Sequence, residues 1–391
     1  MEIALEGALM PQEKLLLIPG PTPVHPRIIH SLSLPTVSHV SPVFVEETTK
    51  ALANLKKIVY NCSGEGFIVS GAGTLSMEMA LLNIASPQEI VLVVSQGYFG
   101  RRMADIAQSF SIPCDVLESE GGDAVPTDAL KNKLSEKRYA VVYCTHVDTA
   151  TGTCAPVREY AAAVRESGAL FVVDGVCATG GIEENMDGWG IDVVLTAAQK
   201  CFGVPPGLAV SVFSEKAMGK RRDLGAISAY YADILRWLPI MKDPSKYFST
   251  PCVNEIRAFY EGTNIILEEG LENRFIRHRK TAAALRSALQ TLGFSFFTKD
   301  EFLADTLSVV LYPDGIDDLS FRGAYMNNGV VVAGGLGPLA GKAFRMGHMG
   351  NLSQNQAEFA VSALETTLDT LNHPFEPRAG VKAFRETIKA E

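Results

Sequence analysis

Six short apolar runs, rich in β-branched residues, recur between residues 66 and 213: Gly66–Ser70 (GFIVS), Ile90–Ser95 (IVLVVS), Ala140–Thr145 (AVVYCT), Ala169–Val173 (ALFVV), Asp192–Ala197 (DVVLTA) and Leu208–Phe213 (LAVSVF). Their apolar residues are continuous rather than alternating, the pattern of strands buried on both faces. A mostly parallel sheet covered by helices is predicted. Stretches with helical spacing, such as Thr74–Ala85 and Val157–Ser167, separate the runs. Strands alternating with helices predict an α/β wound sheet.

The pattern changes beyond residue 255. Leu271–Leu292 reads as one long amphipathic helix. A strand near Leu307–Tyr312, a helix near Leu319–Asn327, a strand at Gly329–Val332 and a last helix near Asn355–Leu371 follow. These predict a smaller α+β domain. The expected division is an N-terminal arm (1–14), a large domain (15–268) and a small C-terminal domain (269–391). A length of 391 residues, against the ~100–150 most common for one domain, agrees with two domains.

Composition narrows the class. Lys+Arg 35 against Asp+Glu 44 gives a net charge of −9, which argues against a nucleic-acid binder, since that needs a basic face. Lys220-Arg221-Arg222 reads as a solvated turn. No apolar run approaches the ~18 residues of a membrane span, so no membrane role is expected. The N-terminus has no basic region before its apolar stretch and does not read as a signal peptide. Seven cysteines without a C-x-x-C read as a reduced intracellular set. No His/Cys/carboxylate set has metal-ligand spacing, so no metal is expected. The C-terminus carries no peroxisomal tripeptide. The expectation is a cytoplasmic enzyme.

In wound sheets, ligands sit at the carboxyl ends of the strands. Those ends carry Ser70-Gly71-Ala72-Gly73-Thr74, Gln96-Gly97-Tyr98-Phe99, His146-Val147-Asp148-Thr149, Asp174-Gly175-Val176 and Gln199-Lys200. A glycine turn, an aromatic, a hydroxyl, a carboxylate and a lysine on one edge suit a phosphorylated aromatic cofactor. Small residues opening a helix let backbone N–H groups approach a phosphate, although SGAG also fits a plain strand-to-helix turn. It is not a dinucleotide fingerprint, because Ser76 stands where the third glycine belongs. LGPLAGKA (336–343) fails as a P-loop.

A lysine after a buried strand sits where an unpaired ammonium is costly and its pKa falls, which makes it nucleophilic toward carbonyls. By itself Lys200 fits a surface position, and Asp174 fits a turn or a helix cap. Together they match a pyridoxal enzyme, which needs a Schiff-base lysine and a carboxylate on the pyridine nitrogen.

At this point the chain resembles the class V (fold type I) pyridoxal-phosphate aminotransferases, and within them the alanine–glyoxylate and serine–pyruvate group. The matching segments are LLLIPGPTPVHPRI from Leu15, VSGAGTLSMEMAL from Val69, QGYFGRR from Gln96, THVDTATG from Thr145 and VVDGVCATGG from Val172. TAAQKCFGVPPGL from Thr196 and GGLGPLAGKAFRMGHMG from Gly334 complete the set. The resemblance implies a fold type I transferase with a large wound-sheet domain, a smaller C-terminal domain and bound pyridoxal 5'-phosphate. It implies that Lys200 holds the cofactor and moves the α-proton, and that Asp174 pairs with the pyridine nitrogen. Val176 and Phe99 would flank the ring, and Thr149 would reach its hydroxyl. Gly73, Thr74 and Gln199 would hold the phosphate. Tyr247 and Thr250 match a pair that reaches the phosphate of a neighbouring subunit, which implies a homodimer with shared sites; as residues alone they fit an exposed loop. Arg345 matches the clamp on the substrate α-carboxylate, where a planar fork suits two parallel hydrogen bonds, with the backbone at Gly20 on the substrate side.

Departures from the pattern bear on specificity. Many relatives carry arginine where this chain has Val40, beside His39, so an acidic donor is less suited. Asp174-Gly175-Val176-Cys177-Ala178 replaces the usual Asp-Ala/Ser-Val-Ser/Ala-Ser. KCFGVPPGL also resembles relatives that transaminate pyridoxamine. His146 reads as a structural histidine, since Phe99 fills the stacking role. The expected reaction moves the amino group of alanine or serine to glyoxylate or pyruvate. Ureidoglycine, an acidic or hydroxy amino acid, an aminophosphonate or pyridoxamine as donor, or a lyase or desulfurase reaction, are the alternatives.

Overall fold

A computed structural model describes residues 14–390; the expected arm lies, Lys14 apart, outside them. A seven-stranded sheet runs in the spatial order Glu65–Ser70, Leu208–Phe213, Val193–Ala197, Leu170–Asp174, Val141–Thr145, Val91–Ser95, Cys114–Glu118. Only Leu208–Phe213 is antiparallel to its neighbours; the other pairings are parallel. Every residue of the five central strands is buried, which is why their apolar runs are unbroken.

Alternate strand residues feed two cores. Val142, Phe171, Val173 and Val194 face one, while Val141, Tyr143, Val172 and Val193 face the other. Among the helices over the sheet are Gly73–Leu82 and Val157–Ser167. The edge strand Cys114–Glu118 (CDVLE) was not predicted. It pairs only with Val91–Ser95 and is part exposed, and its charged residues interrupt any apolar run.

The C-terminal portion carries a four-stranded antiparallel sheet, ordered Ala333–Gly334, Ala343–Gly347, Leu307–Leu311, Ser295–Phe296. The helix Val253–Glu269 packs on Pro42–Ile58 and Pro26–Ser33, whereas Leu271–Thr291 packs on Ala379–Ala390 and Gln354–Thr370. Gly270, at φ +82°, joins the two. Leu15–Leu16 pairs in parallel with Val330–Val331, and Leu17 sits in the small domain's core. Of the apolar Leu15-Leu16-Leu17 run, Leu17 is buried in that core and Leu15 packs against it partly exposed. Among the described residues no helix is long and apolar enough to cross a membrane.

Candidate active site

Lys200 stands just beyond the strand Val193–Ala197, half-buried. Its Nζ donates to the Pro19 carbonyl. Its own carbonyl accepts from Thr22 Oγ1 at 2.8 Å, and Thr22 N–H donates to the Gln199 carbonyl at 3.2 Å. The next turn is pinned by the fully buried Arg274, which donates to Cys201 O at 2.6 Å and Gly180 O at 2.7 Å. Backbone anchors on both sides of Lys200 leave its side chain as the part free to work.

Asp174 ends the strand Leu170–Asp174 and is buried. Among the described residues its carboxylate has one hydrogen-bond partner, Val176 N–H at 3.0 Å. Burial pushes its pKa up to about 7. Asp148 and Glu184 push the same way, against the Val176 N–H and Lys200. A buried carboxylate with this little support suits a cationic N–H, and the pyridine nitrogen of pyridoxal phosphate supplies one. The phosphate end fits too. The helix Gly73–Leu82 opens at Ala72 without a side-chain cap, which leaves its first N–H groups for an anion. A Cβ at Gly73 would sit 3.3 Å from Ala197 and 3.4 Å from Val176. Gln199 Oε1 is buried and has no hydrogen-bond partner among the described residues. Thr74 is exposed at the helix start.

The next strand ends complete the edge. Thr149 Oγ1 meets Cys177 Sγ at 3.0 Å, which ties the loop after Val141–Thr145 to the one after Asp174. Phe99 N–H donates to Asp148 Oδ2 at 2.8 Å, and Ala150 N–H to Asp148 Oδ1 at 2.8 Å. Arg102 covers the Phe99 ring at 4.7 Å. Burial raises the Asp148 carboxyl, while the N–H groups of Phe99, Ala150, Thr151 and Gly100 oppose it.

Arg345 comes from the other domain, on the strand Ala343–Gly347. Its Nε donates to Gly334 O at 2.8 Å and its Nη1 reaches Thr149 O at 3.5 Å. Among the described residues it has no carboxylate partner, and burial lowers its pKa. A half-buried guanidinium of this kind is ready for an incoming carboxylate. Tyr247 and Thr250 lie elsewhere. Tyr247 is 65% exposed, its hydroxyl stands 3.5 Å from Thr250 Oγ1, and its ring lies 5.7 Å from that of His39.

These contacts link Gly20 to Lys200, Gly73 and Asp174 to Val176, and Phe99 and Arg345 to the Thr149 loop, all beyond the strand ends of the large sheet, and they leave Tyr247 and Thr250 on an exposed stretch. Two residues beside these had no assigned role. Asp148 was visible at a strand end, but nothing local showed that it anchors Phe99. Glu184 is buried beneath the turn after Asp174, and no sequence signal points to it.

A family model for aminotransferase class-V matches residues 30–335. The chain belongs to the class-V aminotransferases. It is 33% identical over 385 residues to an L-aspartate–glyoxylate aminotransferase of Paracoccus denitrificans, covering 96% of each chain. It is 33% identical over 363 residues to alanine–glyoxylate aminotransferase 1 of Saccharomyces cerevisiae, covering 87% of this chain and 93% of the yeast protein. The fold overlays the ureidoglycine–glyoxylate aminotransferase of Bacillus subtilis with a TM-score of 0.92 at 28% identity, covering 98% of this chain and 100% of that one. The aminotransferase uses pyridoxal 5'-phosphate, as its family does.

Proposed function

We propose that this aminotransferase moves the amino group of a small L-amino acid, alanine or serine, to glyoxylate or pyruvate in a ping-pong cycle. The observation that carries this reading is Arg345, a half-buried guanidinium without a carboxylate partner, facing the loop of Thr149 across the domain boundary. Both substrates present an α-carboxylate that its fork can hold. When bound, pyridoxal phosphate supplies an electron sink for the carbanion at Cα.

The residues of this chain do the rest. Arg345 fixes the carboxylate and so presents the Cα–H toward Lys200. The Lys200 amine takes that proton as general base and returns one as general acid. Asp174 would pair with the pyridine N–H, and Val176 and Phe99 would flank the ring. Gly73, Thr74 and Gln199 would hold the phosphate.

A homodimer completes the reading. Tyr247 and Thr250 offer exposed hydroxyls to a second subunit, and the exposed Val40, Val43 and Tyr230 are apolar area such a contact would cover. Valine at position 40, where many relatives carry arginine, makes an acidic donor less suited and favours alanine or serine over aspartate. The seven free cysteines suit a reducing, cytoplasmic setting. A steady-state panel of alanine, serine, aspartate, ureidoglycine and pyridoxamine, each with glyoxylate and pyruvate, tests the assignment. The highest kcat/KM for alanine or serine supports it; a preference for any other donor replaces it. Ammonia or sulfide released without a keto acid would reveal a lyase or desulfurase instead.

A further inference from the structure

Beneath the turn that follows Asp174 lies a buried glutamate–histidine pair with no part in the proposed chemistry. Glu184 is 1% exposed and His146 4% exposed, and Glu184 Oε1 meets His146 Nδ1 at 2.8 Å. Glu184 Oε2 accepts from the Thr179 hydroxyl at 2.6 Å. The carboxylate has room because residue 175 is glycine. A Cβ there would stand 2.5 and 2.6 Å from the two Glu184 oxygens and would also collide with Thr179 Oγ1.

These contacts join two loops. His146 follows the strand Val141–Thr145 and leads in three residues to Thr149, and its N–H donates to the Asp174 carbonyl at 2.9 Å. On the other loop, the Gly175 carbonyl accepts from the N–H groups of Ala178 and Thr179 at 2.9 and 2.7 Å, which folds Thr179 back toward Glu184. Asp174, Val176 and Thr149, all assigned to the cofactor ring, hang from these two loops.

We propose that Glu184 is a positioning residue for the cofactor ring: it staples the loop after Asp174 to the loop after Val141–Thr145 and so fixes the Asp174 carboxylate toward the pyridine nitrogen. The inference rests on the reading of Asp174 as the partner of that nitrogen. With a single backbone hydrogen bond of its own, the Asp174 side chain depends on its backbone for direction, and pre-organisation of that kind appears as affinity.

The test is equilibrium titration of apo-protein with pyridoxal phosphate and with its analogue carrying C–H in place of the pyridine nitrogen. Glu184→Leu removes both ties. It weakens pyridoxal phosphate binding about tenfold, by analogy with the loss of the hydrogen-bond partners that orient metal ligands, and it weakens the analogue much less. Glu184→Gln keeps one acceptor and shows a smaller loss in the same direction; it serves if the leucine variant does not fold. Equal weakening of both ligands, or weakening of neither, overturns the proposal. Asp174→Asn is the control. If it too fails to discriminate the ligands, the reading of Asp174 falls; if it discriminates and the Glu184 variants do not, only the staple falls.

Discussion

Gly20 leaves room for Lys200 and little else: a Cβ on residue 20 would lie 2.6 Å from both Cδ and Nζ of the lysine. Its φ of +122° is a conformation that side-chain-bearing residues rarely adopt. The glycine therefore sets where the amine stands.

Gly20→Ala displaces that amine. Because a 1 Å misplacement can cost about 100-fold, the single-turnover rate with saturating donor falls by at least about tenfold. Alanine is strained at that φ, so the melting temperature falls as well, and the rates are compared at a temperature where both proteins stay folded. A variant with the wild-type single-turnover rate would show that the backbone at residue 20 does not constrain Lys200.

Asp174 makes the apo-protein's stability depend on pH. Its pKa in the fold is about 7, against 3.8 for the free side chain. Between those values the folded state holds a proton that the unfolded state has released, so stability declines as pH rises through pH 4–7 and levels off above. The full shift corresponds to on the order of 4 kcal/mol. Asp174→Asn, with no charge to bury, flattens the decline, and at pH 8 the apo variant melts several degrees above apo wild type. Melting curves from pH 4 to 8 check this; parallel profiles for the two proteins would contradict it.

The parts legible in the sequence are those whose cause is local. Strands buried on both faces show as unbroken apolar runs, so Leu208–Phe213 was read to the residue. The positions of Asp174 and Lys200 at the ends of two buried strands were legible because the apolar runs before them mark those strands. Cys114–Glu118 was not, because an edge strand half in water carries Asp115 and Glu118. The pairing of Leu15–Leu16 with Val330–Val331 spans over 300 residues and leaves no periodic trace. Glu184 was invisible for the same reason: His146, its partner, lies 38 residues away.

Arg345→Ala tests the proposed carboxylate clamp. Truncating one partner of a buried, hydrogen-bonded charge pair costs about 2–5 kcal/mol, so KM for the keto acid and for the amino acid each rise at least about 30-fold. Arg345→Lys restores part of the loss, since a point charge lacks the planar fork. An unchanged KM for the keto acid would remove Arg345 from this role.

The proposed shared site predicts complementation. Lys200→Ala protein is inactive, and a Tyr247→Phe/Thr250→Ala double variant retains its cofactor poorly. If Tyr247 and Thr250 serve the neighbouring subunit, mixed dimers contain one site with every wild-type residue, so activity after equilibrating the two exceeds the sum of the separate preparations. A mixture that is strictly additive would place both residues in the site of their own chain, or in none.

The most direct test of the central claim is the visible absorption of the cofactor-loaded protein, recorded before and after L-alanine or L-serine, and again after glyoxylate. The account predicts that the cofactor band fades with the donor and returns with glyoxylate, and that Lys200→Ala abolishes the cycle. A band that neither amino acid changes would contradict the assignment of small amino-acid donors. A protein that develops no band with added pyridoxal phosphate would contradict the site built around Lys200 and Asp174.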